Sequence, residues 1–218
     1  MWAFVWCAAV WASDYDDLLS EDGWEHFETV STGDAGVVVL DVKRLDTPCL
    51  RAAVTVELPA DVLLEVVTDV PGASSITREK LIASEVLDRS GAQMEYYQHL
   101  DVPGWTLTAD RYWVLRGERI QRPQGPMFRW SRFDWEGDYP ELAERLASEY
   151  PSAIEPHVNW GAWTFDESEG KTDARYHLCS DAGGNLPSWI QKIAATRTIP
   201  ATVDDVVKAA KRRLQALR

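Results

Sequence analysis

The residues able to do acid–base or metal chemistry are few and dispersed. The four histidines, His26, His99, His157 and His177, stand far apart, with no pair at i, i+4, no Cys-x-x-Cys and no Gly-x-Ser-x-Gly elbow. No catalytic constellation, cofactor motif or metal-ligand spacing is visible, so the expectation is a chain without catalytic residues, cofactor or metal. Asp181-Ala182-Gly183-Gly184, ahead of a helical pattern, could hold an anion on helix amides. A structural turn is the simpler reading. Of three cysteines, Cys7 lies in an apolar run and is preceded by Phe4-Val5-Trp6, not a lipoprotein box. Cys49 and Cys179 are then an even pair, suited either to a disulfide in an oxidising compartment or to two buried thiols.

Charge narrows the classes of partner. The formal net charge is -13, from 35 acidic against 22 basic residues, so phosphate backbones and anionic lipid surfaces repel the chain. Nucleic acid is therefore not expected as a partner. The basic concentration at Lys208, Lys211, Arg212, Arg213 and Arg218 suits the C-terminal end of a helix dipole. The 11 tryptophans demand either large packing volumes or an apolar pocket with a few polar handles.

Met1 to Ala12 is uncharged and almost wholly apolar, and Val10-Trp11-Ala12 before Ser13 resembles a signal-peptidase site, although no basic residue precedes it. This reads as a leader over residues 1–12 and one domain over 13–218. The expected location is periplasmic or secreted if the leader is cleaved, and cytoplasmic otherwise. No other apolar run approaches the ~20 residues that cross a bilayer.

The elements that must position any site follow from periodicity. Asp14 to Glu21 reads as a short acidic helix, and Trp24 to Val30, Val37 to Leu45 and Leu50 to Leu58 as a three-strand meander. Pro59 opens a helix carrying Val62, Leu63, Val66 and Val67, which Pro71-Gly72 stops. Six strands follow, over Ile82 to Asp88, Met94 to Asp101, Arg111 to Gln121, Met127 to Trp135, Asn159 to Glu167 and Ala174 to Asp181. Between the fourth and fifth of these, Gly137 to Pro156 is an insertion with its own helix, marked by Leu142, Leu146 and Tyr150. From Leu186 the spacing is helical through Trp189, Ile190, Ile193, Val203, Val206, Val207, Ala210, Leu214 and Leu217. Asn185 and Pro187 suit its start, and Pro200 should kink or split it, with Thr198 or Thr202 recapping the second part. The order predicts an α+β chain, a curved antiparallel sheet closed by one long helix with a ligand cavity between.

On the central strand, Tyr112, Val114, Arg116 and Glu118 share one face while Arg111, Trp113, Leu115 and Arg119 share the other. Periodicity alone does not choose the inward face.

Three segments in order resemble the START (StAR-related lipid transfer) domain. Glu21-Asp22-Gly23-Trp24-Glu25 with Gly36-Val37-Val38-Val39 is similar to the family's opening, and Leu107 to Arg116, LTADRYWVLR, to its central strand. Asp181 to Ile190, DAGGNLPSWI, resembles its junction into the final helix. The resemblance implies the helix-grip fold, a sheet of about nine strands around a C-terminal helix, and a monomer that carries a lipid, a sterol, phospholipid or similar apolar ligand, with transient membrane contact. The alternative is a polyketide cyclase-like or hydrolase-like enzyme on the same fold, which needs a polar cluster such as His99 or His177 beside a carboxylate in the cavity.

The resemblance also places the third and last strands side by side, bringing Cys49 towards Cys179. The ligand-binding residues expected are Tyr97, His99, Trp105, Tyr112, Val114, Arg116, Trp130, Trp163, Trp189 and Ile193. In sterol-binding members an acidic residue pairs with a tunnel arginine. Arg116 fits that arginine within about one residue, whereas Tyr96-Tyr97-Gln98-His99 offers no acid, leaving Glu95 or Asp101 from other positions. The insertion and the Val102 to Thr106 turn are expected near the cavity mouth.

Overall fold

The computed structural model describes residues 14–102, 109–181 and 194–216. Residues 14–19 form α1, ahead of three strands, β1 (Glu25–Ser31), β2 (Val37–Arg44) and β3 (Pro48–Val56). Two helices, α2 (Ala60–Val67) and α3 (Ala73–Ile76), lead into β4 (Leu81–Ser90), β5 (Gln93–Leu100), β6 (Arg111–Arg122) and β7 (Gly125–Arg132). Then come α4 (Pro140–Glu149), β8 (Val158–Ser168), β9 (Lys171–Asp181) and the closing α5 (Ile199–Ala216). The expected meander, helix and six strands are present, as is the later part of the final helix, whose expected start from Asn185 and Leu186 to Ile193 lies outside the described residues.

The nine strands form one antiparallel sheet in the order β1-β2-β3-β9-β8-β7-β6-β5-β4. The meander joins the last strand through β3–β9, so α2 and α3 make the long connection to β4 at the other edge. Cys49 faces Cys179 directly in the β3–β9 register, and the two are bonded. This realises the disulfide reading of the pair.

α5 closes the concave face. Val203, Val206, Val207 and Ala210 recur at helical spacing and are buried, with Leu214 partly buried beside them. Each buried valine contributes about 1.5 kcal/mol or more to this closure. Pro200 does not split the helix. Residues Ala194–Thr198 instead wind as a wide π-helical turn that runs into α5, which accommodates the missing proline N–H. Thr202 donates from its hydroxyl to the Thr198 carbonyl at 3.0 Å, an i−4 bond inside the helix and not a cap.

The convex face is covered in two places. Tyr15 and Leu18 of α1 pack on Cys49, Cys179, Met127 and Ala162, and the Tyr15 hydroxyl donates to the Trp130 carbonyl at 2.5 Å. Leu142 and Leu146 of α4 pack on Tyr97, Val114 and Trp135. The insertion helix thus sits on the outer face, while Pro156 at the end of the insertion lines the cavity. The reason is physical: Tyr97 and Val114 make the outer face of β5 and β6 apolar, and that face needs cover from water. The insertion returns through Ile154, which pairs with Arg111 as an isolated parallel bridge.

Among the described residues no helix is long and apolar enough to cross a membrane.

Candidate functional site

Alternation along each strand decides what faces α5. On β5 the inward set is Tyr96, Gln98 and Leu100, on β6 it is Arg111, Trp113 and Leu115, and on β7 it is Phe128 and Trp130. With Trp163 of β8, Tyr176 and Leu178 of β9, and Val66, Ile199 and Val206 from the helices, these side chains bound a cavity of about 360 Å³. That volume lies within the range of small-molecule sites. Two glycines create room for its rings. A Cβ at Gly117 would lie 2.4 Å from the Phe128 ring, and one at Gly161 would lie 2.6 Å from the Trp130 ring.

The rings form a row. Phe128 and Trp130 stack at 6.2 Å between centroids, Trp130 and Tyr176 at 5.7 Å, Tyr176 and Trp163 at 4.6 Å, and Trp163 and Phe165 at 5.9 Å. Two indole donors in this lining are satisfied by the protein. Trp113 donates to Gln98 Oε1 at 3.1 Å, and Trp130 to Asn159 Oδ1 at 3.1 Å. Each leaves an apolar ring on the cavity without a polar debt to a ligand.

One rim is ionic. Arg78, on the segment after α3, donates to Asp205 through its backbone N–H at 2.7 Å and its Nε at 2.9 Å, and reaches Asp204 Oδ2 at 2.7 Å. The other oxygen of Asp204 accepts from the amides of Asp34 and Ala35 at 2.5 and 2.8 Å, tying the β1–β2 turn to α5. Burial alone would raise Asp204, but the Ala35 amide, Arg78 and the Asp34 amide outweigh it and hold the carboxyl below its usual value. Hydrogen bonds to Asp205 and Asp204 raise Arg78 in turn.

Arg111 also borders the cavity; burial lowers it, and Asp110 opposes that shift. A second depression, about 480 Å³ at the β8–β9 turn, is lined by Glu57, Glu167, Glu169 and Lys171 and has no aromatic lining.

This architecture has close counterparts among solved structures. Human StAR-related lipid transfer protein 5 superposes with a TM-score of 0.74 at 12% identity, over 94% of this chain and 94% of that one. A STAR-related lipid transfer protein from Xanthomonas axonopodis gives 0.67 at 17% identity, over 87% and 99%. The chain has the START helix-grip fold. Zhui aromatase/cyclase from Streptomyces sp. R1128 shares it less closely, with a TM-score of 0.54 at 18% identity over 76% and 94%. No family model and no curated protein matches the sequence.

Of the residues expected to bind ligand, Trp130 and Trp163 line the cavity. Trp105, Trp189 and Ile193 lie outside the described residues. Tyr97, His99, Tyr112, Val114 and Arg116 do not face the cavity, which corrects their assignment. One residue of register separates them from the true lining of Tyr96, Gln98, Arg111, Trp113 and Leu115. Tyr97, Val114 and Tyr112 belong instead to the outer cluster under α4. Arg116 meets Glu95 at 2.6 Å on the outer face and lies over the Phe133 ring. The acid partner is Glu95, but the pair stands outside the grip.

The histidines also face outward. His99 is fully buried, with Nδ1 2.8 Å from the Tyr97 hydroxyl and Nε2 3.9 Å from Asp110. Burial lowers its pKa, with Asp110 and Asp101 opposing. His177 is pushed down to about 3, first by burial and then by Arg51. Among the described residues no group of histidine, cysteine or carboxylate side chains could hold a metal ion.

The signal that could have found the inward face is charge. Arg116 and Glu118 share a face of β6, and each meets an opposite charge directly across the ladder, Glu95 on β5 and Arg129 on β7. Such paired charges belong where water reaches them.

Proposed function

We propose that this protein binds an apolar molecule in the cavity between the sheet and α5 and carries it without chemical change. The observation that carries this reading is the cavity itself, about 360 Å³, with Leu115, Phe128, Trp163 and Val206 on its walls and the indole N–H groups of Trp113 and Trp130 already bonded within the protein. Such a lining rewards burial of an apolar surface and offers few directional contacts. The lipid transfer for which its structural counterparts are named supports the same reading.

The cyclase or hydrolase alternative gains less support. It requires an acid–base pair converging on the ligand, and His99 and His177 pack on the other side of the sheet. An oxidising compartment, periplasmic or extracellular, is the location we infer, supported by the Cys49–Cys179 disulfide.

Native mass spectrometry of the purified chain, followed by organic extraction, tests the function. The expected result is a stoichiometric apolar ligand released on unfolding. A protein that carries none and acquires none from mixed lipid vesicles would refute carriage.

A further inference from the structure

We propose that ligand enters and leaves the cavity beneath the segment from Pro71 to Lys80, a strap that Arg78 latches to α5. The inference rests on the apolar-ligand reading and adds to it the portal and the residue that governs passage.

The strap is a wall one chain thick. Pro71, Ser74, Ser75, Arg78 and Lys80 are exposed, while Ala73, Ile76, Thr77 and Glu79, set between them, border the cavity. Water therefore lies on one side of the segment and the cavity on the other. No residue from Pro71 to Lys80 is buried. The other walls differ: Val66 of α2, Phe128 and Trp163 of the sheet and Val206 of α5 are all buried. The one helix in the strap, α3, is a single turn of four residues, too short to hold its shape by its own hydrogen bonds.

Both ends of the strap are pinned. The Ser84 hydroxyl of β4 donates to the Val70 carbonyl at 2.6 Å, and the Asp101 amide, just after β5, donates to the Lys80 carbonyl at 2.9 Å. Across to α5, every hydrogen bond of the strap among the described residues belongs to Arg78, which reaches Asp205 through its backbone N–H and side chain and Asp204 through its side chain. Asp205 itself borders the cavity, so parting this pair opens a gap that leads inside. The pair is suited to part. The Arg78 side chain is 52% exposed, and ion pairs with such access to water contribute little and weaken with salt. Asp204 keeps the Asp34 and Ala35 amides when Arg78 leaves, so the open state does not strand that carboxylate. Ile76 packs partly against the apolar core, which draws the strap back to the closed position.

The test preloads wild type, Arg78→Lys and Arg78→Ala with N-phenyl-1-naphthylamine and follows release into excess dioleoylphosphatidylcholine vesicles by stopped flow, at about 0.05 M and about 0.5 M sodium chloride. A latch sets rates in both directions, so Arg78→Ala should release the dye roughly three- to tenfold faster while its dissociation constant stays within about twofold. Arg78→Lys keeps the charge but loses the forked geometry, and should fall between the two. Salt should speed release from wild type and leave Arg78→Ala unmoved. A folded Arg78→Ala protein that releases at the wild-type rate overturns the proposal and moves the portal elsewhere on the rim. So does a loss of affinity that matches the faster release, the mark of a damaged cavity and not of an opened one. If Arg78→Ala does not fold, the wild-type salt series decides, since release indifferent to salt overturns the latch. A dye that never binds wild type refutes the apolar-ligand reading, and the latch falls with it.

Discussion

Cys49 on β3 and Cys179 on β9 stand directly opposite each other and are joined across the seam where the opening meander meets the rest of the sheet. The bond links residues 130 positions apart, so it removes a large loop's freedom from the unfolded chain. Reduction, or Cys49→Ser with Cys179→Ser, should lower stability by about 2–5 kcal/mol. Urea unfolding with and without reductant measures this. An unchanged midpoint in protein whose thiols titrate as fully reduced would show that the sheet pairing alone holds the seam.

Arg78 joins two buried carboxylates of α5, and Asp204 also receives the β1–β2 turn. Arg78 is itself half exposed, so its charge is screened and most of the effect of Arg78→Ala falls on the carboxylates left behind. The expected loss is about 1–3 kcal/mol. Asp204→Asn keeps an oxygen for the Asp34 and Ala35 amides and should lose less than Asp204→Ala. Equal losses for the two would mean that the amide bonds contribute nothing.

His177 sets an acid limit. Its folded pKa is about 3 against an ordinary 6.5, so below pH 6.5 the unfolded chain takes up a proton that the folded chain refuses. Stability from this group is complete above pH 6.5 and declines by about 1.4 kcal/mol per unit as pH falls towards 3. Asp204, held below 3.8, keeps its own contribution until lower pH and then loses it. Urea midpoints at pH 7 and pH 5 should differ in wild type and differ less in His177→Gln. A pH slope unchanged by the substitution would assign the acid sensitivity elsewhere.

The fold was legible because its signals were local. Pro48, Pro59 and Gly91 punctuate elements whose observed bounds lie close to the alternating runs, and Leu142 with Leu146 marks α4. The choice of face on β5 and β6 was not legible. Tyr96 and Tyr97, or Trp113 and Val114, offer apolar residues to both sides, because α4 covers the outer side as α5 covers the inner one. A strand buried on both faces has no hydrophobic alternation to read, and only the paired charges Glu95–Arg116 and Glu118–Arg129 mark the wet part of the outer face. The outer-face seat of α4 is hidden in the sequence for the same reason: its partner surface is invisible until the register is known.

Val206 offers the most direct test of where the ligand sits. It lies on α5 facing Phe128 and Trp163 across the cavity, buried against the sheet yet bordering open space. Val206→Phe directs a ring into that space, where it gains dispersion contacts without displacing a packed neighbour. Phe128→Ala, by contrast, removes a ring that Gly117 was shaped to receive and should cost about 3–5 kcal/mol. The filled variant is expected to lose no more than about 1–3 kcal/mol, the scale of small-to-large changes at buried positions, while its affinity for a neutral apolar probe falls more than tenfold. Circular dichroism and N-phenyl-1-naphthylamine fluorescence read the two effects on the same sample. Retained binding in a folded Val206→Phe protein would place the ligand outside the grip, since a molecule held between β7, β8 and α5 cannot share that volume with the new ring.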